Sequence, residues 1–496
     1  MKIDRGRRFA IIGAGFSGSL LAVHLLHRSD PEDRVYLVER SAGFGRGLAY
    51  STGNPHHLLN VRAGNMSAFS DRPDHFLDWL RSLPEDERAA VSVSEDRLTF
   101  VPRQLYGAYI QHVLGREIWS DERSHRLYLV ADEAVALHPA GPGYSLEVGC
   151  GRRYEVDAVA LAVGNFPPAG GTRGYVANPW SASATAELDP DAPVLLVGTG
   201  LTMVDVVISL LDQKHRGPIL AVSRRGQLPR RHMAVAPYRR FLPASRAPLS
   251  ALGLLAAVRR EIAAAAGEGR DWRAVIDALR PDTQDLWRNL PVREKERFLR
   301  HLRPWWDVHR HRMAPSVAVR IERAMERGQL VLRRARLGAV TARRGGVVAE
   351  LLPVGGAPAE HLEVDRVINC SGPLAEIARI DSPLLRALLE SGMARPDPLG
   401  LGLDVTAEGA VIDAAGDARE DLFAAGPITK GVFWETTAVP DIRIQCERLA
   451  VEMAGRRGQG AGRERLWSRG PRPTGRAARP GRPGPMNPRS RARCSA

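Results

Sequence analysis

Residues 9–18 read Phe-Ala-Ile-Ile-Gly-Ala-Gly-Phe-Ser-Gly, and residues 194–202 read Val-Leu-Leu-Val-Gly-Thr-Gly-Leu-Thr. Each stretch is a short apolar run, a glycine turn and the start of a helical pattern. In such a turn the first glycine permits the tight bend, and the second lets backbone approach a pyrophosphate. The third lets helix pack closely on strand, while the helix N-terminus faces the anion. One such turn is weak evidence; two in strand-turn-helix context point to two nucleotides bound side by side.

In the first unit, Gly13, Gly15 and Gly18 carry the pattern, with Ala14, Phe16 and Ser17 between them as further contacts. A helix is expected from Ser19 to about His27, with Leu20, Leu21, Val23, Leu25 and Leu26 on its buried side. The next strand, Val35 to Val38, ends in Glu39-Arg40. A carboxylate at that distance can accept hydrogen bonds from ribose hydroxyls; the competing reading makes Glu39 a solvated strand end. In the second unit Gly198, Gly200, Leu201 and Thr202 form the turn, and Met203 replaces the third glycine, so helix and strand are expected slightly farther apart. Its following strand, Ile219 to Val222, ends in Ser223-Arg224-Arg225-Gly226. Two guanidiniums stand where a carboxylate would meet a 2′-hydroxyl, which suits a 2′-phosphate. That favours NADPH, with NADH the alternative if the arginines merely reflect composition.

The chain of 496 residues has room for two or three domains. It contains no run of 18 or more apolar residues, so no signal peptide or membrane span is expected. Cys150, Cys370, Cys446 and Cys494 are scattered without metal-ligand spacing. They fit a reducing cytoplasm and offer no metal site or disulfide framework. The net charge of +14 is concentrated after residue 455, where twelve arginines face one acid, Glu464. This Gly/Pro/Arg tail is expected to be disordered, and nucleic-acid attraction, if any, is confined to it. Only four of the 70 basic residues are lysines, at 2, 214, 295 and 430.

The expected architecture is α/β with two Rossmann-like dinucleotide-binding domains. The first is split, over 1–185 and 356–454, by an inserted nucleotide domain over 186–355. That insert carries an Ala/Arg-rich helical segment over about 245–328. Strands ending in glycine recur at Gly164-Asn165, Gly372 and Gly426. Ends without side chains can lie against a flat cofactor.

Further motifs carry a family resemblance. Phe44-Gly45-Arg46-Gly47-Leu48-Ala49-Tyr50, His57-Leu58-Leu59-Asn60-Val61 and Phe100-Val101-Pro102-Arg103-Gln104-Leu105-Tyr106-Gly107 lie in the N-terminal part. Trp306-Asp307-Val308-His309-Arg310-His311-Arg312, Gly426-Pro427-Ile428-Thr429-Lys430-Gly431 and Trp434-Glu435-Thr436-Thr437-Ala438-Val439-Pro440 continue the series. Together they resemble a bacterial FAD/NAD(P)-binding family. Its N-terminal domain is shared with FAD-dependent urate hydroxylase and aspartate N-monooxygenase, and it is distantly similar to the lysine and ornithine N-hydroxylases. The resemblance implies FAD in the first domain and NAD(P)H in the second. It covers nearly everything except the tail. Related disulfide reductases place Asp after the last strand's glycine and need a redox cysteine pair; here Pro427 stands there and no pair exists. The Baeyer–Villiger fingerprint is reduced to Asn178-Pro179-Trp180 without its His.

This layout implies hydride transfer from NADPH to flavin, with molecular oxygen as the acceptor. A flavin C4a-hydroperoxide kept from water could then hydroxylate a small polar substrate such as an amine, amino acid or purine. His309 and Arg312, three apart on an expected helix face, are candidates for holding an anionic substrate or the nicotinamide diphosphate. The competing reading is a basic helix whose tryptophans fill core. Arg230, Arg231 and His232 are candidates for the NADPH phosphates or a solvated loop. The resemblance points to Asn60 and Arg103 as hydrogen-bond donors near the flavin. Trp434 to Thr437 are expected to open the last helix, whose dipole can stabilise a reduced flavin; the competing reading makes Thr436 an ordinary cap, and both can hold. An NADPH:acceptor reductase and a flavin-based redox sensor are the alternative functions.

Overall fold

The computed structural model describes residues 6–455, apart from 42, 91–95, 121 and 169–170. The tail expected to be disordered lies, from residue 456 onward, outside the described residues.

Two sheets carry the fold. In the first, six strands run in the order Ala410–Ile412, Ala418–Ala424, Ala158–Leu161, Arg8–Ile12, Arg34–Glu39, Leu127–Ala131. All neighbours are parallel except the antiparallel edge pair 410–412/418–424. The Arg8–Ile12 strand is central, and Phe9, Ala10, Ile11 and Ile12 are all buried. A strand covered on both faces reads as a continuous apolar run rather than an alternation, which is how this one looks in sequence. One face is covered by the Phe16–Arg28, Arg103–Ile118 and Val439–Gly455 helices. The other is covered by a small antiparallel sheet (Ala134–Ala140, Gly143–Val148, Arg153–Val156) and the Pro383–Glu390 helix.

The second sheet has eight strands. Their order is Glu360–Val364, Gly346–Pro353, Leu330–Arg343, Ile219–Ser223, Val194–Val197, Arg366–Asn369, Tyr175–Val176, Gly171–Thr172. Val194–Val197 is flanked on both sides by parallel partners. Strands at 171–176 and 360–369, on either side of the expected 186–355 unit, also hydrogen-bond into the second sheet. The physical reason is symmetry. A central strand bearing a glycine turn needs a parallel partner on each side, and Arg366–Asn369 does for Val194–Val197 what Ala158–Leu161 does for Arg8–Ile12.

Both glycine turns show that repeated construction. A Cβ on Gly13 (φ +97°) would sit 2.4 Å from the Ala162 carbonyl oxygen, and one on Gly198 (φ +112°) 2.4 Å from that of Cys370. The strand end before Gly372 therefore abuts the second nucleotide turn. The helical insertion comprises Ala251–Gly267, Trp272–Ala278, Thr283–Asn289, Val292–Arg297 and Arg303–Arg310, followed by Pro315–Glu326 against the second sheet.

Close packing at Gly18 is the most demanding of these contacts, since an added Cβ would lie 1.8 Å from the Gly13 carbonyl oxygen. Gly18→Ala is expected to destabilise the fold by about 1–3 kcal/mol through overpacking. Gly115→Ala, in the Arg103–Ile118 helix with open space around it, is expected to stabilise by about 0.5–1 kcal/mol. Denaturant midpoints of the two variants should move in opposite directions.

Candidate active site

The first glycine turn is held from behind and left open in front. Gly13 N donates to the Val38 carbonyl (2.8 Å), and Ala14 N donates to Glu39 Oε2 (2.8 Å). The other Glu39 oxygen accepts from Ser41 N and Oγ, both at 3.2 Å. Glu39 thus braces the turn as well as standing at its predicted strand end, with Arg40 exposed beside it. The Phe16–Arg28 helix begins at Gly15 with no side chain capping it, so the dipole and amides of its first turn remain available to an anion. Phe16 contributes backbone only; its ring packs into the core at 5.9 Å from Tyr106.

Glycine backbones close the cradle from two sides. Gly45 N donates to the Ala14 carbonyl (2.8 Å), and a Cβ on Gly47 would lie 2.9 Å from Gly15 Cα. Opposite, a Cβ on Gly426 (φ +77°) would lie 2.5 Å from Ser17 Oγ. An uncapped helix end in a cradle that side chains would fill fits a dinucleotide pyrophosphate. The residues that frame this cradle are Gly13 to Gly18, Glu39, the 45–47 turn and Gly426. Gly164 (φ +69°) has open space around it and Asn165 is exposed, at the end of the adjacent strand.

The second turn repeats the device. The Leu201–Asp212 helix starts at Gly200 with no side-chain cap, and nothing lies within 4 Å of the position a Gly200 Cβ would take. Leu201 and Thr202 form its first turn. Met203 is wholly buried in the core beneath. Ser223 is occupied as a turn former: its hydroxyl meets Thr199 Oγ1 (2.9 Å) and accepts from Gly226 N (2.9 Å). Arg224 and Arg225 are exposed.

Between the turns, the two sheets' elements are bolted together. Arg103 N donates to the His57 carbonyl (2.8 Å) and Arg103 Nε to the Leu58 carbonyl (3.2 Å). Its Nη2 lies 2.8 Å from Asp205 Oδ2, with side chains only 14% and 8% exposed. His57 Nε2 lies 2.9 Å from both the Asp205 carbonyl and Ser209 Oγ. Asn54 Nδ2 donates to Asp212 Oδ2 (2.9 Å), and Arg320 Nη2 to Asp212 Oδ1 (2.6 Å). Burial raises the Asp205 carboxyl above its ordinary value against the pull of Arg103 and His57, and burial lowers His57. Arg103, expected to donate toward the flavin, instead spends Nε and Nη2 on this junction. Asn60 enters through its backbone, whose carbonyl accepts from His232 Nε2 (3.0 Å). Burial, then Arg312, push His232 down to about 3, so it is neutral and packs against Phe100. The Arg230–His232 segment pairs its backbone with 308–313, while the Arg230 and Arg231 side chains are exposed.

Two more expectations change. The helix expected to align His309 with Arg312 stops at Arg310. His309 Nδ1 donates to the Trp305 carbonyl (2.7 Å) and its ring meets Trp272 edge-on, while Arg312, 1% exposed, pairs with Asp277. The inward cation is Arg310, whose Nε lies 2.9 Å from Glu435 Oε2. Nor do Trp434 to Thr437 open the last helix, which begins at Val439. Thr436 caps nothing: its hydroxyl donates to Gln445 Oε1 (3.0 Å), which also accepts from Gly426 N (2.8 Å). Thr436 thereby helps pin the Gly426 turn. Trp434 stacks on Trp287 (4.5 Å between centroids, 26°).

Sequence reading missed His57, Asp205 and Glu435. Glu435 has φ +69° and is buried, accepting from Trp306 Nε1 (2.6 Å) and facing Arg310 and His311. Burial pushes its carboxyl up, but Arg310, His311 and Trp306 outweigh that and hold it well below the carboxylate range. Its place in the Trp434-Glu435-Thr436 motif was the available signal. Asp205, an acid set among the apolar residues of the Leu201–Asp212 helix, was the other.

A family model described as FAD-NAD(P)-binding matches residues 10–166, so an FAD/NAD(P)-binding domain occupies that part of the chain. No curated protein sequence matches. Among solved structures, the ornithine hydroxylase of Pseudomonas aeruginosa is similar at TM-score 0.60 and 14% identity, over 91% of this chain and 99% of that one. An ornithine N-hydroxylase from Kutzneria, solved with reduced FAD, NADP+ and L-ornithine, reaches 0.62 and 14% over the same shares. A cadaverine monooxygenase of Erwinia amylovora, bound to FAD, reaches 0.60 and 12% over 95% and 99%. At these identities the likeness establishes a shared fold.

Arg103→Met leaves the buried Asp205 without its cation and is expected to cost about 3–5 kcal/mol. Adding Asp205→Asn should recover more than half of that. In the single variant the Asp205 carboxyl rises further above its unfolded value. The deficit is then complete above that raised pKa and shrinks as pH falls through it. Denaturant midpoints across an acid pH series check both statements.

Proposed function

We propose that this protein is an FAD- and NADPH-dependent monooxygenase that hydroxylates a small polar amine-type substrate. The observation that carries the reading is the pair of uncapped helix N-termini, at Gly15 and Gly200, each framed by glycine backbone within one compact unit. The likeness to ornithine and cadaverine hydroxylases supports the choice of reaction and of an amine substrate. Bound FAD would supply hydride acceptance from NADPH and, once reduced, activation of molecular oxygen.

The chain's own residues divide the remaining work. The amides at the start of the Phe16–Arg28 helix hold one pyrophosphate, and Glu39 braces the turn beside the ribose position. The Leu201–Asp212 helix start receives the second nucleotide, with Arg224 and Arg225 free to embrace a 2′-phosphate. Arg103, His57 and Asp205 keep the two turns in register. Glu435, Trp306 and Arg310 fasten the helical insertion over the Gly426 turn and exclude water from that side. A dithiol reductase is disfavoured, because Cys370 and Cys446 are buried free thiols that burial pushes up, away from the thiolate.

The test is NADPH oxidation by the FAD-loaded protein, screened with amines, amino acids and purines and coupled to product analysis. A substrate that stimulates oxidation and gains one oxygen atom is the expected result. Oxidation yielding only peroxide with every candidate, or fast reduction of a quinone or dye instead, would overturn the monooxygenase reading. In the same assay, Arg224→Gln/Arg225→Gln is expected to raise KM for NADPH about tenfold or more, for lost charge-assisted contacts. NADH kinetics should stay unchanged.

A further inference from the structure

We propose that a cavity floored by Phe69 and Val113, remote from both nucleotide turns, binds a flat aromatic ring bearing a phosphate or carboxylate. It is a second ligand site, independent of the monooxygenase reading. The Phe16–Arg28 helix starts at the first glycine turn, and the Arg103–Ile118 helix starts at the junction with Asp205. Both end at this cavity, where His27 Nε2 meets Glu117 Oε1 at 2.9 Å. At 1.5 Å of rise per residue, His27 stands about 18 Å from Gly15. A ligand held here is therefore neither the flavin nor a molecule presented to it. The cavity has a volume of about 450 Å³, within the range of small-molecule sites.

The floor is apolar and the wall cationic. Phe69 and Val113 are buried, while Trp119, which ends the Arg103–Ile118 helix, is 85% exposed at the rim. The Arg72 guanidinium lies 3.9 Å from the Phe69 ring centroid, and His75 meets that ring edge-on at 4.8 Å. Stacking fixes the plane of Arg72 and leaves its N–H groups for a ligand. Neither Arg72 nor Arg116 has an ion-pair partner among the described residues. The acid on the wall, Glu117, is already held by His27 and by Arg123 Nε at 2.6 Å. A basic residue in the last turn of a helix ordinarily answers the helix dipole, which accounts for Arg116. It does not account for Arg72, which lies outside any helix. Both guanidiniums bear on His75: burial first, then Arg72, Arg116 and His112, lower its imidazole, against Asp78. Asp78 is itself paired with Arg81 (2.9 Å), and His75 Nδ1 meets Tyr109 Oη (2.7 Å), which leaves His75 Nε2 for a ligand. An acid group entering here gains charge-assisted hydrogen bonds from two unpaired guanidiniums. A ring attached to it has the Trp119 face to cover.

Phenyl phosphate and benzoate are the probes, with inorganic phosphate (acid without ring) and benzamide (ring without charge) as controls. The protein is loaded with FAD and saturated with NADP+, so that both nucleotide turns are filled. By titration calorimetry at least one aromatic acid should bind, and the tighter of the two identifies the acid group. Each control should bind about tenfold more weakly or not at all. In protein carrying ¹³C-labelled histidine, with His75 assigned by loss of its signal in His75→Gln, the bound acid should raise the His75 titration midpoint. Affinity should fall about tenfold or more in Arg72→Gln and in Arg116→Gln, and about fivefold in Trp119→Ala. All three side chains are exposed, so these variants keep the fold. Arg116→Gln should also leave NADPH oxidation unchanged. Failure of both acids to bind, or affinities indifferent to Arg72 and Arg116, overturns the proposal. So does inorganic phosphate binding as tightly as phenyl phosphate, or benzamide as tightly as benzoate. Affinity lost in Arg224→Gln/Arg225→Gln instead would put the probe at the second nucleotide turn and equally overturn it. None of these outcomes touches the monooxygenase reading.

Discussion

The Arg103–Asp205 ion pair is the constraint on which the arrangement depends. Each glycine turn is a local product of its own strand-turn-helix unit and would form without the other. Only a contact between the units makes them one site. Arg103 starts the Arg103–Ile118 helix over the first sheet, and Asp205 lies in the second turn of the helix that begins at the other nucleotide turn. Their pairing, with His57 reaching the Asp205 carbonyl and Ser209, therefore sets one nucleotide turn against the other. Burying two charges is costly, and the geometry compensates by giving Arg103 the Leu58 carbonyl as a second partner.

Glu435 makes the second junction. Its left-handed backbone and buried, triply engaged carboxylate tie the Arg303–Arg310 helix to the segment after Gly426. The stacked Trp287 and Trp434 rings fill the space beside it, and Trp287 Nε1 donates to the Gly431 carbonyl (2.8 Å). Thr429, Thr436 and Gln445 knit the Gly426 turn from beneath. The helical insertion, peripheral in sequence, is in this way anchored to the first nucleotide cradle.

The parts legible in sequence were those with local causes. Gly13, Gly15 and Gly18 announce a turn because backbone geometry demands glycine there, and the apolar strands announce themselves because both faces are buried. The short strands at 171–176 were not foreseen, and the pairing of 360–369 was not legible, because partners are chosen across the fold, here by the need of Val194–Val197 for a second parallel neighbour. Side-chain roles were legible least. Arg103, Arg312 and His309 were read as contacts to flavin, substrate or nucleotide because their partners in the fold, Asp205, Asp277 and Trp272, lie far away in the chain. Thr436 looked like a cap because capping is the commonest local use of threonine before a helix. Its actual partner, Gln445, sits within that helix.

The central claim is that two nucleotides meet across this junction closely enough for a hydride to pass. Anaerobic rapid mixing of the FAD-loaded protein with NADPH tests it most directly, by following the visible absorbance of the flavin. The account predicts bleaching at a rate that saturates with NADPH and slows in the Arg103→Met variant. Protein that takes up no FAD, or flavin that stays oxidised at saturating NADPH, would contradict it.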